Sequence, residues 1–265
     1  MPNLEYPALS ISARSSLASV EKEIKEVCKS ANIPVPSVLA LKLDVLDCAS
    51  VADAAKSIET TFGRLDILIN NAAYLSGTAN VANGDHDEWW MNWEVNVRGV
   101  YWATKCLLPL LLKTDGGDKT IVNLASVAAL LMSPGMSGCQ MSKFALVKFT
   151  ERLCIEYADQ GWELQFSLSF IGMTESYDGI LMLNLVVLAY SVHPGSVMAD
   201  LSKGLPEKSH EILIAWMICS FSFPRNVTDL HAIVLTDTPE LAGNTIPCLT
   251  SQKREWLAGR YLSSN

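Results

Sequence analysis

Short runs of leucine and β-branched residues alternate along the chain with longer runs whose apolar positions recur at helical spacing. In the first long run, Leu17, Val20 and Ile24 share one helical face while glutamates and lysines occupy the others. This pattern predicts strands at 8–12, 38–43, 65–69, 120–124, 188–192 and near 245–249. It predicts helices at 17–29, 51–62, 88–113 and 142–159, and around 207–219 and 226–235. Alternating strands and helices are typical of βαβ units, so we expect an α/β fold with helices flanking a parallel sheet.

No repeat or linker divides the chain, so residues 1–265 are predicted to form one domain. The segment 162–185 is an irregular insertion because its apolar residues follow neither strand nor helix periodicity. Without it, the helix ending near Gly161 would join the next strand through an ordinary short loop. Two interpretations stay open: an addition that packs poorly, or a lid whose apolar residues line a pocket.

Composition narrows the class of protein further. Apolar residues make up 49% of the chain, which is enough for a sizeable core. A net charge of -8 argues against nucleic-acid binding, which needs a basic surface. The apolar stretches are too short to span a membrane, and the N-terminal residues do not resemble a signal peptide. Seven cysteines without a Cys-x-x-Cys pair indicate a reducing compartment, so we expect a soluble, cytoplasmic protein. The histidines lack metal-ligand spacing, and no metal site is predicted.

Five short motifs follow one another in a fixed order. They are Asn70-Asn71-Ala72-Ala73, then Asn96 in a helix, Ser126 after a strand, Lys143 in a helix, and His193-Pro194-Gly195-Ser196-Val197. In this order and at these spacings the chain closely resembles the short-chain dehydrogenase/reductase family. The resemblance implies a Rossmann-type doubly wound parallel sheet, a nicotinamide cofactor and a small alcohol or carbonyl substrate. Family analogy also implies a homodimer or homotetramer.

The family's catalytic tetrad is Asn, Ser, Tyr and Lys, and by resemblance it maps to Asn96, Ser126, Cys139 and Lys143. The tyrosine belongs four residues before the lysine and thirteen after the serine, and both counts fall on Cys139. Hydride transfer to a carbonyl requires a proton donor, and a thiol is too short to replace a phenol in reach. Cys139 is therefore either a small residue filling vacated space or a working acid or nucleophile, and in the second case a lysine such as Lys143 can favour its thiolate.

The resemblance also implies a cofactor-binding set spread along the chain. Its members are Arg14, Asp44, Val45, Asn71, Ala72, Ala73, Lys143, Pro194, Gly195 and Val197. Arg14 follows the strand at 8–12, where an arginine favours the 2′-phosphate, so NADP is expected over NAD. The family's glycine-rich phosphate loop, Thr-Gly-x-x-x-Gly-x-Gly, does not occur in this sequence. The strand at 8–12 matches the family's second strand, so the usual first strand and its loop are expected to be absent.

Because that loop supplies backbone N–H groups to the pyrophosphate, cofactor binding is expected to be impaired. The sequence leaves open whether 8–12 moves into the central place of the missing strand. The main interpretation is an NAD(P)-dependent oxidoreductase with impaired activity. One alternative is a catalytically inactive relative that serves as a binding or oligomerisation partner, and another is an incomplete gene model.

Overall fold

The structure is a computed structural model that describes residues 8–15, 17–116, 119–129, 134–157, 188–193 and 261–263. Its strands are β1 (Ala8–Ala13), β2 (Ser37–Lys42), β3 (Ile67–Asn70), β4 (Thr120–Leu124), β5 (Leu188–His193) and β6 (Tyr261–Ser263). Its α-helices are α1 (Ala18–Ser30), α2 (Cys48–Phe62), α3 (His86–Trp93), α4 (Val100–Lys113) and α5 (Ser137–Glu156). A π-helical turn, Glu94–Gly99, joins α3 to α4, and a 3₁₀ turn, Val127–Ala129, follows β4.

All the strand pairs are parallel, and they form two sheets. One sheet contains β1 and β2, and the other has the order β3-β4-β5-β6. Parallel neighbours require crossover connections: along the chain α1 lies between β1 and β2, α3 and α4 lie between β3 and β4, and α5 lies between β4 and β5. The fold is therefore the predicted Rossmann-like α/β arrangement. Among the described residues β1 is hydrogen-bonded to β2 alone, so 8–12 does not occupy a central place beside β3.

The core lies between the four-stranded sheet and its helices. Every residue of β4 is buried because the strand has neighbours on both sides. Leu111 and Ile121 are fully buried in the largest apolar cluster, which also includes Ile58 of α2 and Leu153 of α5. Leu39 and Leu41 of β2 pack against the same cluster. Apolar side chains thus link the two sheets where no backbone ladder of the described residues does.

The predicted continuous helix at 88–113 is wrong in its middle. α3 begins two residues earlier, where the Asp85 side chain accepts a hydrogen bond from the N–H of Glu88 (3.0 Å). The helix then widens into the π turn Glu94–Gly99 before α4 begins. A π turn accommodates one extra residue and is frequent at functional sites. Here it contains Asn96, whose side chain leaves the helix to hold a neighbouring loop.

The helix predicted at 142–159 begins five residues earlier, at Ser137. Its N-cap residue, Met136, makes no side-chain cap hydrogen bond, so the usual start signal is missing. Packing replaces the cap: Gly138 lies so close to α3 that an added Cβ would be 2.9 Å from Asn92 Nδ2. The earlier start places Cys139 and Lys143 on one helix, four residues apart.

Strand β6 was not predicted, because three residues are too few to show a period. The helices predicted around 207–219 and 226–235, the strand near 245–249 and the insertion 162–185 lie outside the described residues. Within the described part of the chain, no helix has both the length and the apolarity needed to cross a membrane.

Candidate active site

The site forms where parallel strands β3 and β4 end at the same edge of the sheet. A buried polar network fixes this edge. Asn70 Nδ2 donates to Asn123 Oδ1 (2.8 Å) and to Thr104 Oγ1 (3.2 Å), and Asn123 Nδ2 donates to Thr150 Oγ1 (2.9 Å). The network joins β3 and β4 to α4 and α5. Sequence analysis did not assign Asn123, although an asparagine inside a buried strand is a signal that could have revealed it.

Ser126 stands just beyond the end of β4, immediately before the 3₁₀ turn. Its hydroxyl oxygen accepts a hydrogen bond from the Ala128 N–H (3.2 Å), and its carbonyl accepts one from the Ala129 N–H (2.9 Å). Ala129 packs with Ala125 against Val147 of α5. The turn is therefore held against α5, and the Ser126 O–H keeps its proton for another acceptor.

Cys139, Lys143 and Val147 follow one another at four-residue intervals on α5, so they share one face of the helix. Lys143 Nζ donates to the carbonyl of Leu124, the last residue of β4, at 2.6 Å. Since Val147 packs beside the Ser126 turn, this face of α5 is directed at the end of β4. The structure thus brings Ser126, Cys139 and Lys143 into one region.

Both ionisable groups on this face are buried, with Cys139 8% and Lys143 6% exposed. Burial lowers the pKa of Lys143 to about 8, and the coulombic interaction with Cys139 opposes this only partly. Burial also raises the pKa of the Cys139 thiol, and the nearby Lys143 offsets this only in part. Lys143 does favour the Cys139 thiolate, in the direction that the sequence indicated, but burial raises the pKa of the thiol by more.

Asn96 is fully buried and ties three parts of the site together. Its Oδ1 accepts the Tyr74 N–H (2.8 Å), and its Nδ2 donates to the Tyr74 carbonyl (3.0 Å) and to Ser142 Oγ (3.0 Å). Ser142 Oγ in turn donates to the carbonyl of Cys139 (2.9 Å). Asn96 therefore holds the loop after β3 and the first turns of α5 in fixed relation. Both N–H bonds of its amide are used in this way.

The loop that Asn96 anchors contains three predicted cofactor residues, Asn71, Ala72 and Ala73. They follow β3 directly and lie at the edge that carries Ser126, with Asn71 and Ala72 exposed. Three other predicted cofactor residues, Pro194, Gly195 and Val197, lie outside the described residues. Arg14 is at the end of β1 in the two-stranded sheet, where it lines a cavity of its own.

Asp44 and Val45 follow β2 and approach the π turn. Asp44 Oδ1 accepts a hydrogen bond from the Leu46 N–H (3.0 Å), and the Asp44 N–H donates one to Ser50 Oγ (3.2 Å). These two bonds fix the conformation of the turn. A Cβ added to Gly99 would lie 2.8 Å from Val45 Cγ2 and 3.0 Å from Val45 Cβ. Gly99 thus allows the β2 loop to touch the helix that carries Asn96.

This contact gives a prediction. Gly99→Ala is expected to lower the free energy of unfolding by about 1–3 kcal/mol, because the added methyl group overpacks the contact with Val45. Urea unfolding followed by circular dichroism measures the change. Val45→Ala in the same chain should recover most of the loss, whereas Val51→Ala, a matched truncation elsewhere, should not. Equal losses in Gly99→Ala with and without Val45→Ala would contradict the contact as the cause.

No group of three or more potential metal ligands occurs among the described residues. The polar groups that the structure brings together at this site are the serine, the cysteine and the lysine, with the asparagine holding the loop beside them. A hydroxyl donor beside a buried amine at the carboxyl edge of a parallel sheet is an arrangement suited to binding a polar ligand there. The class of protein follows from comparison with known sequences.

The chain belongs to the short-chain dehydrogenase family, whose pattern matches residues 11–176. It is 41% identical over 259 residues to "Short chain dehydrogenase mpl6" of Monascus purpureus, a match that covers 98% of this chain and 72% of that protein. It is 35% identical over 256 residues to "Short chain dehydrogenase tazN" of Aspergillus terreus, covering 96% of this chain and 45% of that one. The family makes it a short-chain dehydrogenase-type oxidoreductase.

Solved structures agree on the fold. A 3-oxoacyl-[acyl-carrier protein] reductase from Brucella melitensis, in complex with NAD, superposes with a TM-score of 0.71 at 18% identity. That match covers 97% of this chain and 85% of the other. A gluconate 5-dehydrogenase from Burkholderia cenocepacia, in complex with NADP and tartrate, gives 0.69 at 17% identity, covering 97% and 83%. At these identities the likeness establishes the Rossmann-like α/β fold.

Proposed function

We propose that this chain is an NAD(P)-dependent oxidoreductase for a small alcohol or carbonyl compound, with a preference for NADP and with impaired turnover. The observation that carries the proposal is the convergence of Ser126, Cys139 and Lys143 at the end of β4, with Asn96 holding the surrounding loop. We further propose a cytoplasmic location and a homodimer or homotetramer, in keeping with the family.

The described residues suit two parts of a nicotinamide dinucleotide, namely the nicotinamide ribose and the adenosine half. Lys143 directs three N–H donors into the site and uses one of them on the Leu124 carbonyl, leaving others for ribose hydroxyls. Arg14, Asp44 and the Asn71–Ala73 loop follow β1, β2 and β3 and suit the adenosine half. For the pyrophosphate, the sequence offers no glycine-rich turn. The described residues therefore offer partners for the nicotinamide ribose and for the adenosine half, and the lack of a glycine-rich turn in the sequence supports the proposal of weak binding.

When bound, the cofactor supplies or accepts the hydride, and the protein handles the oxygen of the substrate. The Ser126 hydroxyl accepts a hydrogen bond from the Ala128 N–H, and its own O–H is a donor that suits polarising a substrate carbonyl. A neutral Cys139 thiol can act as an acid only if the substrate oxygen comes within about 3 Å of it. Because Cys139 is buried and shorter than a tyrosine, we expect proton transfer to the substrate oxygen to be slow.

The test first repairs the proton donor alone, and then repairs it together with the cofactor-binding part of the fold. Wild-type chain should bind NADPH weakly in a fluorescence titration, and Cys139→Tyr alone should give no measurable consumption of NADPH with a panel of ketones. Proton donation contributes roughly 10²–10⁴-fold, whereas an unbound cofactor removes the reaction. Turnover should appear when Cys139→Tyr is combined with an added strand, glycine-rich loop and helix from a relative and with removal of residues 162–185.

The control for this experiment is Lys143→Met in the repaired chain, which should abolish turnover. Clear NADPH consumption by Cys139→Tyr alone would show that the missing proton donor, and not weak cofactor binding, is the more severe defect. If the repaired chain folded and bound NADPH but reduced none of the ketones, the proposed activity would be refuted. Saturable tight binding by the wild-type chain would refute the proposed impairment.

A second function is favoured by one surface. Tyr101 of α4 and Met141 and Phe144 of α5 are large apolar side chains, each 46–52% exposed. Exposed apolar residues on neighbouring helices suit contact with another protein chain. An inactive relative acting as an oligomerisation partner would keep this surface and would still fail to turn over NADPH after the repair described above.

A further inference from the structure

Asn92 is a fully buried polar residue of α3, one helical turn before Asn96. Its Nδ2 donates to Ser76 Oγ (2.9 Å), and its Oδ1 accepts a hydrogen bond from the Ser76 N–H (3.4 Å). The amide therefore binds one loop residue through both its side chain and its backbone. An apolar side chain could fill the same space, but it could not fix the orientation of Ser76.

The two asparagines meet the loop after β3 at matching intervals. Asn92 and Asn96 are four residues apart on the helix, a separation of about 6 Å along its axis. Their partners, Ser76 and Tyr74, are two residues apart in the loop, a separation of about 7 Å in an extended chain. Asn92 therefore continues along the loop the attachment that Asn96 begins.

Asn92 also faces the first turn of α5. A Cβ added to Gly138 would be 2.9 Å from Asn92 Nδ2 and 3.2 Å from the carbonyl oxygen of Trp89. Trp89 Nε1 donates to Ser137 Oγ (3.0 Å), which joins the same two helices one residue earlier on α5. Cys139 directly follows Gly138, so the contact that admits Gly138 also sets the place of Cys139.

A backbone hydrogen bond ties the far end of the loop to the segment that leads into α5. The Ala79 N–H donates to the Gly135 carbonyl (3.0 Å), two residues before the helix begins. The loop is thus attached to α3 through Ser76 and to the approach to α5 through Ala79. Asn92 lies between these attachments and contacts the elements on both sides.

We propose that Asn92 is a positioning residue of the candidate active site. By holding Ser76 and by packing against Gly138, it fixes the spacing between the loop after β3 and the first turn of α5. It thereby sets how closely Cys139 is enclosed. The inference rests on the proposed function for what the site does, but its test reads out Cys139 directly and requires no turnover.

The experiment follows alkylation by iodoacetamide in the native full-length chain, measured at each cysteine by peptide mass spectrometry. Cys139 is 8% exposed, and burial raises the pKa of its thiol, while Lys143 acts in the opposite direction. Asn92→Ala removes both bonds to Ser76, so Cys139 should react about tenfold faster at pH 8, as expected for the loss of hydrogen bonds that oppose opening of the site. Its pH profile should also move to lower pH, because water that reaches the thiol relieves the burial that raises its pKa.

Cys154 provides an internal control, because it is also buried on α5 but lies in the apolar core. Its rate should stay unchanged, since the contact that Asn92→Ala removes is at the other end of the helix. The matched variant is Asn80→Ala, which truncates an exposed asparagine of the same loop. It should alter neither rate.

Ser76→Ala tests the partner of the amide with a milder change, and it keeps the test decisive even where Asn92→Ala fails to fold. It removes the hydroxyl alone and should accelerate Cys139 about threefold, whereas Ser76→Thr keeps the hydroxyl and should react as the wild type does. Asn92→Ala combined with Ser76→Ala should react no faster than Asn92→Ala alone. Equal acceleration of Cys139 and Cys154 would overturn the proposal, because it would indicate general destabilisation. An unchanged rate at Cys139 in Ser76→Ala would also overturn it.

The proposed function fails on different grounds, namely a repaired chain that binds NADPH without reducing any ketone. That result would leave the ratio of the Cys139 and Cys154 alkylation rates as it is. Conversely, a Cys139 rate that ignored Asn92 and Ser76 would leave turnover with NADPH to be judged by itself. The two experiments therefore separate the role of Asn92 from the identity of the reaction.

Discussion

Asn96→Ala is expected to lower the free energy of unfolding by about 2–4 kcal/mol, the largest loss we anticipate from one side chain at the site. The substitution removes three hydrogen bonds, two to the Tyr74 backbone and one to Ser142. The partners would remain at least partly buried, and each unsatisfied buried polar group costs about 1–3 kcal/mol. Urea unfolding monitored by tryptophan fluorescence measures the change.

Asn83→Ala is the matched control, because Asn83 is exposed and lies in the same loop region. It should change the free energy of unfolding by less than about 0.5 kcal/mol. Asn96→Asp should also be destabilising, since it keeps the acceptor for the Tyr74 N–H but replaces the two donors with a buried charge. A loss from Asn96→Ala no greater than that from Asn83→Ala would show that the loop is not held by Asn96.

Lys143→Met is expected to act in the opposite direction and to stabilise the protein near neutral pH. Burial lowers the pKa of Lys143 from 10.5 to about 8, which corresponds to a cost of about 3 kcal/mol for keeping the charged amine folded. The lost hydrogen bond to the Leu124 carbonyl offsets about 1 kcal/mol of the gain. We therefore expect a net gain of about 2 kcal/mol at pH 7.

The pH dependence identifies the cause. Below pH 8 the amine is charged in both the folded and the unfolded chain, so the full cost is present. Between pH 8 and 10.5 the folded chain binds fewer protons than the unfolded one, so wild-type stability gains on that of the variant as pH rises. The advantage of Lys143→Met should shrink steadily over this range.

The exposed Lys56 supplies the control, since Lys56→Met should show no such trend. Unfolding by urea at pH 7, 8 and 9 would measure both variants. An advantage that stayed constant with pH would contradict burial as the cause. A lysine kept at this cost is consistent with selection for function rather than for stability.

The parts of the fold that were predictable are those in which local pattern and tertiary packing agree. β4 was predicted at its observed bounds, because it is a buried run ended by polar residues. The predicted α2 began three residues too late. Its start depends on the N-cap in which Asp47 Oδ1 accepts a hydrogen bond from the Ala49 N–H (2.9 Å). Such a cap is visible in sequence, and it marks the boundary better than the first apolar residue.

The parts that were not predictable depend on contacts distant in sequence. The π turn exists where the Asn96 side chain reaches Tyr74 and Gly99 meets Val45. Neither contact leaves a mark on the periodicity of 88–113. The early start of α5 likewise depends on Gly138 fitting against Asn92 rather than on a capping residue. In both cases the packing of neighbouring elements decided the local geometry.

The candidate site, too, was only partly predictable from the sequence. The resemblance of the motifs to the family's tetrad implied that Ser126, Cys139 and Lys143 belong to one site. It was not enough to predict their ionisation. Burial, which dominates the pKa of both Cys139 and Lys143, comes from the fold around them. The proximity of Lys143 in sequence gave the direction of its own effect on the pKa of Cys139, but not the larger and opposite effect of burial.

The division of the strands into two sheets affects how the halves of the molecule cooperate. In a continuous sheet, backbone hydrogen bonds join each strand to its neighbour. Here β2 is joined to the larger sheet through the packing of Leu39 and Leu41 on the shared apolar cluster. Packing of this kind weakens on cooling, whereas hydrogen-bonded ladders do not depend on it. We therefore expect the β1–α1–β2 unit to behave as a separate cooperative segment. Its contact with the rest of the described fold depends on temperature as the burial of an apolar interface does.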